Sequence, residues 1–426
     1  MKLKPGYKQT ETGVIPEEWE IKSLRGIGEI RTGPFGTLLK ATEYSGREGV
    51  PLISVGEISV GRLRITDRTP LVPIAVVKRL PQYVLKEGDI VFGRKGAVDR
   101  SAMVTSEQDG WFLGSDGISI RPAKSCCALY IAYQLQRNEV RSWLIQNATG
   151  TTMASLNQDL LNRVSIPYAP LPEQRAIAAA LSDTDALLSS LGRLLAKKRD
   201  IKQGVMQQLL TGKQRLPGFS GEWKPEKIGR LFQFLSTGNN PRSDLSELGN
   251  VGYVHYGDIH TKEIAFLECA SAVLPLIAYN KVSGLPLLQN GDLVMADASE
   301  DYAGVGKSVE IKNVGSRKIV AGLHTFLLRG DKELLADGYK GYLQFLPSVK
   351  AAMTRYAVGI SVYGISKTNI RNIEINLPLK DEQIAIVAVL SDMDAEIDAL
   401  QLRRDKTRAI KQGMMQELLT GKTRLV

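Results

Sequence analysis

Residues 201–216 read IKQGVMQQLLTGKQRL, and residues 410–425 read IKQGMMQELLTGKTRL. Extended back without gaps to Glu173 and Glu382, the two stretches are identical at 26 of 44 positions, which makes them an internal repeat. The shared residues include Glu173/Glu382, Gln174/Gln383, Leu181/Leu390, Asp183/Asp392, Asp185/Asp394, Lys202/Lys411, Gln203/Gln412 and Met206/Met415. Apolar residues recur along the first copy at Ile177, Leu181, Leu188, Leu191, Leu195, Ile201 and Leu209, and along the second at Ile386, Leu390, Ile397, Leu400, Ile410 and Leu418. Their spacing predicts an amphipathic helix with coiled-coil character. Pro167, Pro170 and Pro172 bar an earlier start in the first copy and Pro378 in the second, while Gly212 and Gly421 supply C-terminal stops. A helix of roughly 38 residues is about 57 Å long. Gly204 and Gly413 weaken it and are expected to mark a close helix crossing or a kink. One amphipathic helix cannot bury its stripe alone; two near-identical ones can pair, antiparallel if the chain builds a domain between them.

The rest of the chain echoes itself more faintly. Trp19 in IPEEWEIKSL answers Trp223 in FSGEWKPEKI, PLISVGEIS answers GYVHYGDIH, and EGDIVFGRKG answers NGDLVMADAS. ATGTTMASLNQDLLNRVSIP and AVGISVYGISKTNIRNIEINLP close the two segments. Val/Ile-rich runs bounded by Gly, Pro and Asp predict β-rich mixed domains. The expected fold is α+β: a first domain over 1–167, a repeat helix over 168–216, a second domain over 217–378 and a repeat helix over 379–426. LKPGY at 3–7 resembles RLPGF at 215–219, so the unit is circular and implies an internal pseudo-two-fold.

With 426 residues, 43% hydrophobic and 23% charged, the chain has the size of two or three ordinary globular domains. No apolar run nears the roughly 20 residues of a membrane span, and MKLKPGYKQTETG has no secretory h-region, so a cytoplasmic protein is expected. Cys126, Cys127 and Cys269 lack metal-ligand spacing and read as small buried residues. The net charge is +10, of which +9 lies in residues 1–216, with 30 Lys and Arg against 21 Asp and Glu. A polyanionic partner suits the first half.

LPEQRAIAAALSDTDALLSSL with KKRDIKQGVMQQLLTGK, the echo EQIAIVAVLSDMDAEIDAL with KTRAIKQGMMQELLTGK, and the openings at Trp19 and Trp223 resemble the specificity subunit of type I restriction-modification systems over essentially the whole length. The resemblance implies two target-recognition domains, each reading half of a bipartite double-stranded DNA site. It implies an antiparallel coiled coil that spaces them and docks two modification (methyltransferase) subunits and the restriction subunits. It implies no catalytic centre or cofactor in this chain, with S-adenosylmethionine, ATP and Mg on the partners. Helix length would then set the unread spacer between half-sites, since B-DNA advances about 34 Å per turn.

Motifs for other chemistries fail on their own terms. GVGKS at 304–308 has Asp301 where a phosphate-binding loop needs its first glycine, and TGKT at 420–423 has Gln416 there. No HExxH, Gly-x-Ser-x-Gly or Asn/Asp-Pro-Pro-aromatic run occurs. The histidines, His255, His260 and His324, all lie in the second domain and read as packing or polar surface, with DNA contact by His255 or His260 as the functional alternative. Asp183/Asp185 and Asp392/Asp394 read as helix-turn acids.

Base reading needs Arg or Lys for guanine and Asn or Gln for adenine, and phosphates take Lys, Arg and backbone N–H groups. In the first domain the candidates are Arg62, Arg64 and Arg68 in GRLRITDR, with Arg62 and Arg64 alternating on a strand face, and Arg94, Lys95 and Arg100 in GRKGAVDR. In the second domain Asp297 and Ala298 stand where Arg94 and Lys95 stand in the first, and an acid can accept from cytosine N4. The candidates there are His255, Tyr256, Lys307, Lys312, Arg317 and Lys318, with Asn239 or Asn240. Two unlike half-sites would not need identical readers, so the repeated Lys202, Gln203, Lys411 and Gln412 point to partner docking or helix packing. A coiled-coil interaction scaffold with two globular heads and no DNA role is the other reading; the basic first half argues against it.

Overall fold

A computed structural model describes residues 4–44, 48–150, 153–259 and 264–425. The chain forms two compact units, one of Met1–Gly192 with Leu402–Val426, the other of Arg193–Gln401. The division does not run between helix and domain. Each unit takes one domain, part of the central helix Leu171–Leu210 and part of the C-terminal helix Lys380–Leu418.

In the first unit, four antiparallel strands lie in the order Ser101–Met103, Ile90–Gly93, Gly117–Pro122 and Gly28–Thr32. All four residues of IVFG at 90–93 are buried, as expected for a central strand covered on both faces. A smaller sheet sets Val50–Ile53 between Phe112–Leu113, which is parallel to it, and Leu71–Val72. Glu20–Ser23 pairs with Ser165–Tyr168, bringing the start of the domain back to its end. The core joins Trp19, Ile120, Tyr130 and Ile166 to Ile177 and Leu181 of the central helix, to Leu418 at the end of the C-terminal helix and to Leu419 just beyond it.

The second unit repeats this plan with one extra strand. Its main sheet runs Phe232–Leu235, Thr325–Gly330, Leu293–Ala296, Ser308–Lys312 and Phe266–Glu268, the last of them parallel to its neighbour. Val251–Val254 lies between Leu276–Ile277 and Ile319–Ala321, and Lys224–Lys227 closes against Glu374–Leu377. Tyr339, Tyr342 and Ile375 pack with Leu209 of the central helix and Ile386 and Leu390 of the C-terminal helix.

The helices begin and end where the punctuation predicts. Pro172 stands in the first turn of the central helix, where its missing N–H costs nothing. Gly212 and Gly421, at φ +68° and +69°, end the two copies in the left-handed conformation that glycine adopts without strain. Within each unit the helical parts run antiparallel. In the first, Asp185 meets Lys411 at 2.6 Å and Glu173 meets Arg424 at 2.6 Å; in the second, Lys198 meets Glu396 at 2.6 Å and Arg215 grips Glu382.

Two details differ from the sequence reading. Ile201 and Ile410 do not join the buried stripe but stand 42% and 60% exposed. Ile201 follows Leu195 by six residues, which turns it about 240° away from the buried side. Gly204 and Gly413 sit in uninterrupted helix, and a Cβ at either would meet nothing within 4 Å, so neither marks a close crossing. Of the remaining stripe, Leu191, Leu195 and Ile397 are buried, and Leu188 and Leu400 are half-buried.

Candidate nucleic-acid interface

The strands Ile90–Gly93 and Leu293–Ala296 each end in a loop held by the same set of backbone hydrogen bonds. Arg94 N donates to Asp116 O at 2.8 Å, and Asp297 N to His324 O at 3.1 Å. Leu156 N donates to Arg94 O at 2.8 Å, and Ile365 N to Asp297 O at 2.9 Å. Gly117 lies opposite Gly93 and Thr325 opposite Ala296. Arg94 and Asp297 are therefore structural equivalents, as are Asp116 and His324. A shared ion pair fixes the sheet beneath each loop: Arg121 with Asp89 at 2.6 Å, and Arg329 with Asp292 at 2.7 Å.

On this common frame the charges are reversed. In the first domain the cations stand on the strand-end loop. The Arg94 guanidinium lies 4.1 Å from the centre of the half-exposed Phe35 ring, and Lys95 Nζ lies 3.5 Å from Asp116 Oδ1. Val98 is buried and anchors the loop, while Arg100 is exposed beyond it. In the second domain the acid stands on that loop and the ring faces it: His324 Nδ1 is 3.3 Å from Asp297 Oδ1. Burial pushes the Asp297 carboxyl above the ordinary carboxylate range, with His324 and Lys367 pulling the other way.

The other candidates fall in varied places. Arg62, Arg64 and Arg68 are exposed, but the strand is only Arg62–Leu63; Leu63 is buried and Ile65 is not, so the alternation stops after one step. His255 is buried, and its Nδ1 accepts from Gly257 N at 3.2 Å, so its ring shapes a turn. Tyr256 lies against it at a tilt of 44°, with ring centres 4.4 Å apart, and donates to Glu300 at 2.8 Å. Lys312 Nζ sits 3.4 Å from the centre of the Phe266 ring, and Lys318 is exposed beside Tyr279. Lys307 is half-buried, and Asn240 donates to Asp244 at 3.1 Å while Asn239 is exposed. Arg317 donates to the carbonyls of Cys269 and Ala272, so its guanidinium holds a turn. His260 lies outside the described residues.

The repeated lysines are engaged within each unit. Lys411 reaches both oxygens of Asp185 at 2.6 and 2.7 Å, where Tyr133 also donates at 2.8 Å. Lys202 pairs with Asp394, which also receives Tyr342 at 3.1 Å. Gln203 and Gln412 face solvent. The sequence marks His324 only as packing or polar surface and does not single out Asp116; their link to the strand-end loops comes from strand pairing, which local sequence does not display.

The chain matches the family described as type I restriction modification DNA specificity domain twice, over residues 16–197 and 221–407, and it belongs to that family. It is 25% identical to the type I restriction enzyme MjaVIII specificity subunit of Methanocaldococcus jannaschii over 437 residues, covering 98% of this chain and 96% of the relative. It is 25% identical to the EcoKI specificity subunit of Escherichia coli K12 over 435 residues, covering 96% and 89%. The solved S subunit from M. genitalium shares the fold at a TM-score of 0.56 and 14% identity, over 98% of each chain. The chain is thus a specificity subunit, the component of a type I system that selects DNA sequence and is not its catalyst. Among the described residues no helix is long and apolar enough to cross a membrane.

Proposed function

We propose that each domain reads one half of a bipartite double-stranded DNA target through the loop cluster around Arg94 or Asp297, and that the helices dock two modification subunits and, through them, the restriction subunits. The observation that carries this reading is the same loop frame built twice with opposite charge. Arg and Lys suit guanine and phosphate, while an Asp–His pair suits a different base edge. Docking is supported by apolar side chains left open on the helices: Leu402 and Ile410 in the first unit, Leu194 and Ile201 in the second. S-adenosylmethionine, ATP and Mg act on the partner subunits, and the assembly works in the cytoplasm. Genome-wide adenine methylation, compared with and without this chain alongside its modification partner, tests the proposal. Loss of one split motif is expected; an unchanged methylome would instead favour a scaffold with no DNA role.

A further inference from the structure

We propose that His324 is a base-reading residue of the second domain, positioned by Asp297, and that it contacts a base edge of that domain's half-site through Nε2. The inference rests on the DNA-reading proposal above and names the residue that carries it in one domain.

The backbone supplies the first argument. His324 adopts φ +55°, and among the described residues the only other non-glycine with positive φ is Asn313. Histidine, like asparagine and aspartate, enters that region more readily than other side chains, but still at a cost of about 1 kcal/mol. The surroundings enforce it. A Cβ on Gly322 would come within 2.0 Å of the Tyr253 ring, so this turn presses flat against the tyrosine. Leu323 N donates to Tyr253 Oη at 2.9 Å, and Thr325 Oγ1 donates to Gly322 O at 2.6 Å. The carbonyl of His324 itself receives Asp297 N. Strain held in place this firmly is characteristic of functional positions.

The side chain supplies the second. It is 51% exposed, with a carboxylate on one side and an aromatic ring on the other. Nδ1 faces Asp297 Oδ1, a buried oxygen with no hydrogen-bond partner of its own. The ring meets Tyr256 edge to face, with centres 5.6 Å apart, and Tyr256 is in turn tied to Glu300. Among the described residues no group of the protein takes Nε2. An imidazole with Nδ1 turned to a carboxylate offers Nε2 as a single directed hydrogen-bonding atom. A polar atom on a half-exposed, supported ring suits major-groove readout.

The internal comparison supplies the third. At the equivalent turn of the first domain stands Asp116, which faces Lys95 and does not have positive φ. The frame is shared and the unusual backbone is not, as expected of a residue that serves the half-site of the second domain alone.

The test is the methylation motif written with the modification partner by the wild-type chain, His324→Gly, His324→Asn and Asp297→Asn, together with the melting temperature of each purified protein. Glycine relieves the backbone, so His324→Gly should melt at or above the wild-type temperature. Its motif should become degenerate at one position of one half-site, with discrimination there falling about 10-fold or more. Asp297→Asn should broaden the same position less, because it acts through the ring. Should His324→Gly lose its fold, His324→Asn keeps the turn and must still alter that position. An unchanged motif in the folded His324 variants, or equal loss at both half-sites, overturns the assignment. Absence of any split motif with the wild-type chain overturns the DNA-reading proposal, and this one with it.

Discussion

Arg424 closes on both carboxylate oxygens of Glu173, at 2.6 and 2.9 Å, and Trp19 Nε1 donates to the same group at 2.9 Å. Arg215, Glu382 and Trp223 form the same node in the second unit, with Arg215 Nη2 at 2.6 Å and Trp223 Nε1 at 3.0 Å from Glu382 Oε2. Glu173 and Glu382 are each only 2% exposed, so each carboxylate depends on these donors. The node ties a domain's opening tryptophan to the start of one helix and to the segment that follows the other. Arg424→Met leaves Glu173 buried with the indole alone. A loss of about 3 kcal/mol in urea unfolding is expected, the low end for a broken buried pair because the arginine is partly exposed. A change below about 0.5 kcal/mol, the range of ordinary surface substitutions, would show that the node contributes little.

Gly204 and Gly413 stand in helix with open space beside them, so alanine should fit at both. Each replacement should stabilise by about 0.5–1 kcal/mol. The melting temperature of the double variant checks this; a fall would mean that the space beside these glycines is not open.

Arg94 lies against Phe35 on the strand-end loop of the first domain. Arg94→Ala should relax or weaken one half-site only, by about 1–3 kcal/mol if it reads guanine. Binding to DNA duplexes altered in one half-site at a time measures it. Equal loss at both half-sites would make the loop structural.

Asp297 gives a pH dependence. Burial holds its carboxyl above the ordinary 3.8, so the folded protein keeps that proton more tightly than the unfolded chain does. The stability tied to this proton is fully present below the unfolded value and is lost as pH rises through the folded one. Asparagine carries no charge at any pH. Asp297→Asn should therefore be more stable than wild type at pH 7, with the gain disappearing by about pH 3–4. Unfolding curves across that range test it; a gain that persists in acid would contradict the burial argument.

The repeat helices were legible because period, proline and glycine agree: Ile177, Leu181, Ile386 and Leu390 are all fully buried, and both copies stop at their glycine. Ile201 and Ile410 were misplaced because an apolar residue off the 3- and 4-residue step turns away from the stripe. The domain echo was legible in GDIVF and NGDLVM, whose Asp89 and Asp292 hold Arg121 and Arg329. What the sequence hid were pairs made by strand register. Nothing local to Asp297 announces His324, and nothing in Arg317 shows that it serves two carbonyls of a turn.

One recognition unit is written twice, and each copy reads its own half-site. A chain in which residues 217–378 also replace 1–167 tests it most directly, with adenine methylation mapped in cells that supply the modification partner. A symmetric split motif is expected, its two halves both matching the second half-site of the wild-type motif. Methylation of the original asymmetric motif by that chain would contradict it.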